Sequence, residues 1–203
     1  MLNCKTGLIT ALVALVLVIV SCGGQDFEAG SLGAVEVGQG EAIHIRSMQV
    51  LTGLGDLGIP NQRGVAMAVA DYGPIKGHDV SMGAGLDSLC TEEGGRAAAD
   101  AVTGDPRVVG VIGTSCSVAA SAASPVLGEA GLVMVSSSNT SPSLTSDLLG
   151  NAGSNYHPGY YRTSNNDLYQ ARAVAYFAYN ELGLRRVAAI EDGDPYTSGL
   201  TGA

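Results

Sequence analysis

From residue 41 onward the chain alternates between short apolar runs and longer amphipathic stretches. The runs at 108–112 (VVGVI), 132–135 (LVMV) and 187–190 are apolar without alternation, the pattern of strands covered on both sheet faces. Residues 43–51 open the series as a first strand, 78–86 form a second, weaker one, and 160–163 a further short one. Between them lie stretches with helical spacing. Residues 60–72 place Val65, Ala66, Val69 and Ala70 on one face and stop at the Gly73–Gly77 breaker. Residues 91–102 begin with Thr91 as a candidate N-cap and carry Glu92 and Glu93 in the first turn, where the helix dipole favours anions. Residues 117–128, 167–182 and the segment from Pro195 onward complete the helices. Strands alternating with helices imply right-handed βαβ units, a mostly parallel sheet and a three-layer α/β lobe. Ligands of such sheets bind beyond the carboxyl ends of the strands, near the point where strand order reverses.

The first forty residues follow another logic. Residues 8–20 form an apolar run of 13. That is short of the roughly 20 residues that span a bilayer and fits the core of a signal peptide. It ends in Ile19-Val20-Ser21-Cys22, similar to the lipobox of bacterial lipoproteins, in which Cys22 is lipidated and becomes the mature N-terminus. An uncleaved membrane anchor is the alternative. Residues 1–21 are therefore expected to be a lipoprotein signal peptide. Residues 22–40, Gly-rich and without period, read as a flexible tether that holds an exported domain near the membrane.

Composition narrows the function classes. Hydrophobic residues make up 46% of the 203, enough for a buried core, and the net charge is −9. A nucleic-acid partner needs a basic face, so none is expected. No Cys/His cluster has metal-ligand spacing, and Asp192-Gly193-Asp194 lacks the remainder of a calcium loop. It reads as a turn with Asp194 capping the helix at Pro195. No Gly-rich phosphate motif follows any strand. Neither metal nor cofactor is expected.

Two strand-end loops carry the candidate chemistry. Gly113-Thr114-Ser115-Cys116-Ser117 follows VVGVI and precedes an Ala-rich helix; Ser136-Ser137-Ser138-Asn139-Thr140-Ser141-Pro142 follows LVMV. Each places hydroxyls and backbone N–H groups at a helix start, with Ser141 as the cap of a short helix begun by Pro142. If the two strands are neighbours, both loops face one cleft suited to a small carboxylate. With Cys4 and Cys22 in the leader region, Cys90 and Cys116 remain as an even pair, and export favours a disulfide between them. The alternative is a reactive thiol at Cys116 on a helix N-terminus. A serine hydrolase is the rival chemistry: Gly113-x-Ser115-x-Ser117 occupies a strand–turn–helix, though the last Gly of the nucleophile elbow is replaced and His157 is the only downstream histidine.

The order of these segments resembles the branched-chain amino-acid binding proteins of ABC importers. Cys90-Thr91-Glu92, Val111-Ile112-Gly113-Thr114-Ser115-Cys116-Ser117 and Val135-Ser136-Ser137-Ser138-Asn139-Thr140-Ser141-Pro142 carry the likeness. So do Tyr161-Arg162-Thr163 with Asp167 and Gln170, and Asp194-Pro195-Tyr196 with Gly199-Leu200. The resemblance runs from about Ile43 to the C-terminus. It implies a type I periplasmic-binding-protein fold of two α/β lobes, with residues 41–165 as the N-terminal lobe and 166–203 as the start of an incomplete second lobe. It also implies that Ser117 and Thr140 bind a ligand carboxylate and that the Ser138 carbonyl accepts from the ligand amine. Tyr196 and Leu57 would line the cleft, and Cys90 and Cys116 would match a family disulfide. The function implied is that of a monomeric, lipid-anchored, non-enzymatic solute-binding protein outside the cytoplasmic membrane. It would deliver an amino acid to an ABC permease. An amino-acid or amide sensor is the second reading, and a hydrolase using Ser115 or Cys116 the third.

Overall fold

The computed structural model describes residues 33–203. The expected signal peptide, the expected lipidation site at Cys22 and the first part of the expected tether lie outside the described residues. Among those described, no helix is long and apolar enough to cross a membrane.

Strand β1 (Ile43–Gln49) is the axis of a wholly parallel sheet. On one edge it pairs with β2 (Val80–Ser81) and, further along, with β3 (Leu86–Asp87). On the other it pairs with β4 (Val108–Gly113), which is followed outward by β5 (Val133–Ser136) and β6 (Tyr160–Arg162). The strand expected over 78–86 is thus two short strands. Gly83 between them takes a left-handed φ of 59° and breaks the ladder.

Helix α1 (Gly55–Tyr72) starts five residues before Pro60, which it accommodates in its second turn. The added turn exists because Gly58 lies directly on the end of β1, where a Cβ would overlap the Val50 carbonyl oxygen. Helix α2 (Glu92–Thr103) begins as expected: the Thr91 hydroxyl accepts from the Gly94 N–H at 3.0 Å. It packs on α3 (Ser117–Glu129) through small residues, with Gly95 so close to Ala119 that any Cβ would meet its backbone. Ala98, Ala99, Val102, Ala120, Ala123 and Leu127 from this pair join Met48, Val108, Val111, Met134, Leu144 and Tyr160 in one buried cluster.

Past β5 a short 3-10 turn (Pro142–Leu144) leads to β6. The Ser141 hydroxyl, expected to cap that turn, shares a hydrogen bond with the Ser143 hydroxyl at 2.9 Å. Pro142 lacks an N–H, so the turn has one donor fewer to cap. Helix α4 (Asp167–Tyr176) is capped by Asn166, whose side-chain oxygen accepts from the Leu168 N–H, and it ends in a π-helical turn, Phe177–Glu181. The strand expected at 187–190 is not formed. Val187 and Ile190 are 75% and 91% exposed, and among the described residues no strand edge lies alongside to take up their backbone groups. Helix α5 (Pro195–Gly202) follows, capped as expected by Asp194, which accepts from the Tyr196 N–H at 2.7 Å.

Candidate ligand-binding cleft

The strand order turns back on itself at β1: the chain moves outward to β2 and β3, then returns to place β4 on the opposite side. Such a reversal opens a crevice at the carboxyl ends of the two central strands. A cleft of about 430 Å³ lies there. Leu54 and Leu57 reach it from the loop after β1 and the first turn of α1, and Cys90 from the turn after β3. Ser115, Cys116 and Ser117 come from the end of β4, and Ser138 and Thr140 from the loop after β5. Gln170, Asp192, Asp194, Tyr196 and Thr197 complete the lining. Leu57, Ser117, Ser138, Thr140 and Tyr196, the five residues expected to surround a ligand, are all brought to this one cleft.

The β4 loop is tightly determined. Gly113 has a φ of 146°, and a Cβ there would overlap the Met48 carbonyl of β1. The Ser115 hydroxyl donates to the side-chain oxygen of fully buried Gln49 at 2.8 Å and accepts from the Val50 N–H at 3.2 Å. Cys116 is joined to Cys90 by a disulfide with Cα atoms 5.3 Å apart. These facts count against the hydrolase reading. The Ser115 hydroxyl is already committed, the Cys116 sulfur is oxidised, and neither His44, His78 nor His157 lines the cleft.

Cys116 also occupies the N-cap of α3 and supplies no capping side chain. The first N–H groups of that helix therefore lack an intrahelical acceptor, and Ser117, 3% exposed, sits at the first helical position. Its hydroxyl oxygen accepts from the Ser141 N–H at 3.3 Å, which leaves the hydroxyl proton to donate elsewhere.

In the β5 loop, Ser136 Oγ accepts from the N–H groups of Ser138 (3.2 Å) and Asn139 (3.0 Å) and donates to the Thr114 carbonyl at 2.9 Å. Those two amides are turned inward. The next amide, that of Thr140, has no acceptor among the described residues. Behind the loop, Arg162 Nη1 donates to the carbonyls of Asn139 (3.2 Å) and Ser141 (2.9 Å), and the Ser164 hydroxyl donates to the Asn139 carbonyl at 2.7 Å. The Asp167 N–H donates to the Thr140 carbonyl at 3.0 Å. The Asp167 carboxyl is fully buried and neither of its oxygens meets a hydrogen-bond partner within ordinary geometry. Burial pushes its pKa up, against the opposing pull of the nearby Thr140 hydroxyl and the Arg162 charge.

Asp192 and Asp194 also line the cleft, although the sequence marks them only as a turn and a cap. Asp192 accepts from the Asp194 N–H and the Thr197 hydroxyl, and the Thr197 contact above all holds its carboxyl below the usual range. Their place in the cleft depends on where the segment after α4 runs, which no local pattern encodes. Gln170 was visible only as part of the Arg-Thr-x-x-x-Asp-x-x-Gln stretch. Among the described residues no group of three His, Cys, Asp or Glu is arranged to hold a metal ion.

Residues 65–202 match the family model described as receptor family ligand binding region. An amino acid binding protein of Pseudomonas aeruginosa is 28% identical over 144 residues, 70% of this chain and 36% of that protein. Among solved structures, the leucine binding protein LivK of Thermotoga maritima superimposes with a TM-score of 0.69 at 25% identity, covering 79% of this chain and 44% of that one. An ABC transporter substrate-binding protein of Desulfitobacterium hafniense, solved in complex with Leu, gives 0.63 at 27% identity, covering 80% and 45%. The chain thus spans less than half the length of these relatives. The parallel α/β architecture is the type I periplasmic-binding-protein fold expected from the sequence. With more than half of its residues matched, the chain belongs to the family of receptor ligand-binding regions.

Proposed function

We propose that this cleft captures the carboxylate and amine of a free amino acid, branched-chain or similarly small, for an ABC importer. The observation that carries the reading is the convergence of unused donors on one point of the molecule. The uncapped N-terminus of α3, the Ser117 hydroxyl proton and the Thr140 amide all serve the same crevice. A helix N-terminus with free N–H groups favours an anion without any basic side chain in the cleft. In this reading Ser117 and Thr140 bind the carboxylate, and the Ser138 carbonyl accepts from the amine. Leu57 and Tyr196, both exposed, cover the side chain. That the similar structures include a leucine binding protein and one solved with Leu supports a small apolar amino acid. Residues 41–165 form the carboxylate-binding lobe and the segment from 166 onward begins the facing one. Cys22 carries the lipid that keeps the protein at the outer face of the membrane, beside its permease.

Calorimetry with L-leucine, L-isoleucine, L-valine and their amides tests the proposal. Ser117→Ala should weaken amino-acid binding by about 1.5–3 kcal/mol, the range for a hydrogen bond to a charged group. Equal affinity of the wild-type chain for L-leucine and L-leucinamide, with no effect of Ser117→Ala, would refute carboxylate recognition.

A further inference from the structure

The Thr140 amide is aimed by a side chain that never enters the cleft. The Asn139 carbonyl and the Thr140 N–H belong to one peptide plane, and in a trans peptide the two point in opposite directions. That carbonyl receives two donors from outside the cleft, Arg162 Nη1 at 3.2 Å and the Ser164 hydroxyl at 2.7 Å. The same Arg162 nitrogen also holds the Ser141 carbonyl at 2.9 Å, one residue beyond Thr140, while Nη2 donates to the Thr145 hydroxyl. Neither Arg162 nor Ser164 lines the cleft, whereas Thr140 does. Gripping the carbonyls on both sides of Thr140 from the β6 side leaves the Thr140 N–H only the opposite direction, towards the crevice.

We propose that Arg162, seconded by Ser164, is the positioning residue of the site: it sets the orientation of the Asn139–Thr140 peptide and thereby gives the cleft its preference for a carboxylate over the corresponding amide. The inference rests on the reading of the cleft as a carboxylate site. The preference follows because a hydrogen bond to a charged acceptor is worth more than one to a neutral acceptor, so misaligning the donor removes more from the carboxylate than from the amide. Arg162 suits the task because its planar fork presents several donors in fixed directions, so a single side chain reaches two backbone carbonyls and a hydroxyl.

Nuclear magnetic resonance on the 15N-labelled chain tests this with two readouts. Residual dipolar couplings report the direction of the Thr140 N–H in the ligand-free protein. Amide shifts on titration give affinities for L-leucine and L-leucinamide. In Arg162→Met the Thr140 coupling should depart from wild type while the couplings of α2 and α3 hold. L-leucine should weaken about tenfold or more, and L-leucinamide by less than about threefold. Arg162→Lys, with one charged donor that reaches one carbonyl, should fall between. Ser164→Ala should move the Thr140 coupling in the same sense by a smaller amount, and it carries the test if Arg162→Met does not fold. An unchanged Thr140 coupling in the Arg162 and Ser164 variants, or equal losses for the two ligands, would overturn the proposal. A wild-type chain that does not distinguish the two ligands would instead defeat the carboxylate reading, and the ligand-free couplings would still decide whether Arg162 orients the peptide.

Discussion

Replacing Cys90 and Cys116 together by serine removes a cross-link that closes a loop of 26 residues. The chain-entropy relation puts the stabilisation from that closure at about 3.5 kcal/mol at 25 °C. The structure gives a reason for the loss to come out smaller. Leu89 and Cys90 both lie in the left-handed region, with φ of 53° and 56°, a conformation that costs an L residue roughly 1–2 kcal/mol. The turn is held there by Asp87 Oδ1, which accepts from the Leu89 N–H at 2.9 Å, by the Thr91 N–H donating to the Ser88 carbonyl at 3.2 Å, and by the disulfide itself. Without the disulfide the turn can relax and recover part of its strain. The Cys90→Ser/Cys116→Ser protein should therefore be destabilised by about 2–3.5 kcal/mol. Cys90→Gly/Cys116→Ser should be more stable than the double-serine protein by about 0.5–1 kcal/mol, because glycine takes positive φ freely and loses only part of that gain to its larger unfolded-state entropy. Urea denaturation of the oxidised wild type and both variants, monitored by circular dichroism, measures these differences. A loss below about 1 kcal/mol in the double-serine protein would contradict the loop-closure argument. If Cys90→Gly/Cys116→Ser proves no more stable than the double-serine protein, the strain argument fails.

Because burial raises the Asp167 pKa, the folded protein binds that proton more tightly than the unfolded chain, so the buried charge destabilises the fold above the folded pKa and the penalty fades as pH falls towards the unfolded value near 3.8. Asp167→Asn should accordingly melt higher than wild type at neutral pH, with the difference shrinking on acidification; thermal melts that show a constant or inverted difference would refute this. Gly95→Val pushes a side chain into the Ala119 backbone and should cost at least about 1–3 kcal/mol by thermal denaturation, whereas a neutral result would mean that α2 and α3 slide apart freely. In a bacterial host with lipoprotein processing, mass spectrometry of the membrane fraction should find Cys22 as a lipidated N-terminus, and an unmodified Cys22 or an intact Met1 would sink the lipobox reading.

The site was legible to the extent that its chemistry is local. Thr91 and Asp194 cap their helices as the residue types require, and hydroxyl-rich junctions after two apolar runs proved to share one crevice because β4 and β5 are neighbours. What stayed hidden depends on contacts between distant segments. The extra turn of α1 rests on Gly58 meeting Val50, and the second strand resumes after the Gly83 break because β1 continues to offer a partner edge at Met48 and Gln49. An apolar run such as 187–190 becomes a strand only beside another edge. The placement of Asp192 and Asp194 in the same cleft as Ser117 is a property of the path after α4. The hydrogen bond of Ser115 to buried Gln49 was equally invisible, because the two lie 66 residues apart in the chain.

The Ser136 hydroxyl has one proton to give and two lone pairs to share, and it uses all three on the Thr114 carbonyl and the amides of Ser138 and Asn139. One oxygen thereby fixes three peptide planes drawn from two different strand ends before any ligand arrives. Ordering a loop at the moment of binding subtracts from affinity, and a seat already ordered avoids that subtraction. An alanine at this position would remove only that oxygen and release all three planes. The cleft would then still exist as a space, but each encounter with a ligand would have to assemble its floor anew, so slower capture and faster escape would accompany the lower melting temperature that buried groups without partners bring.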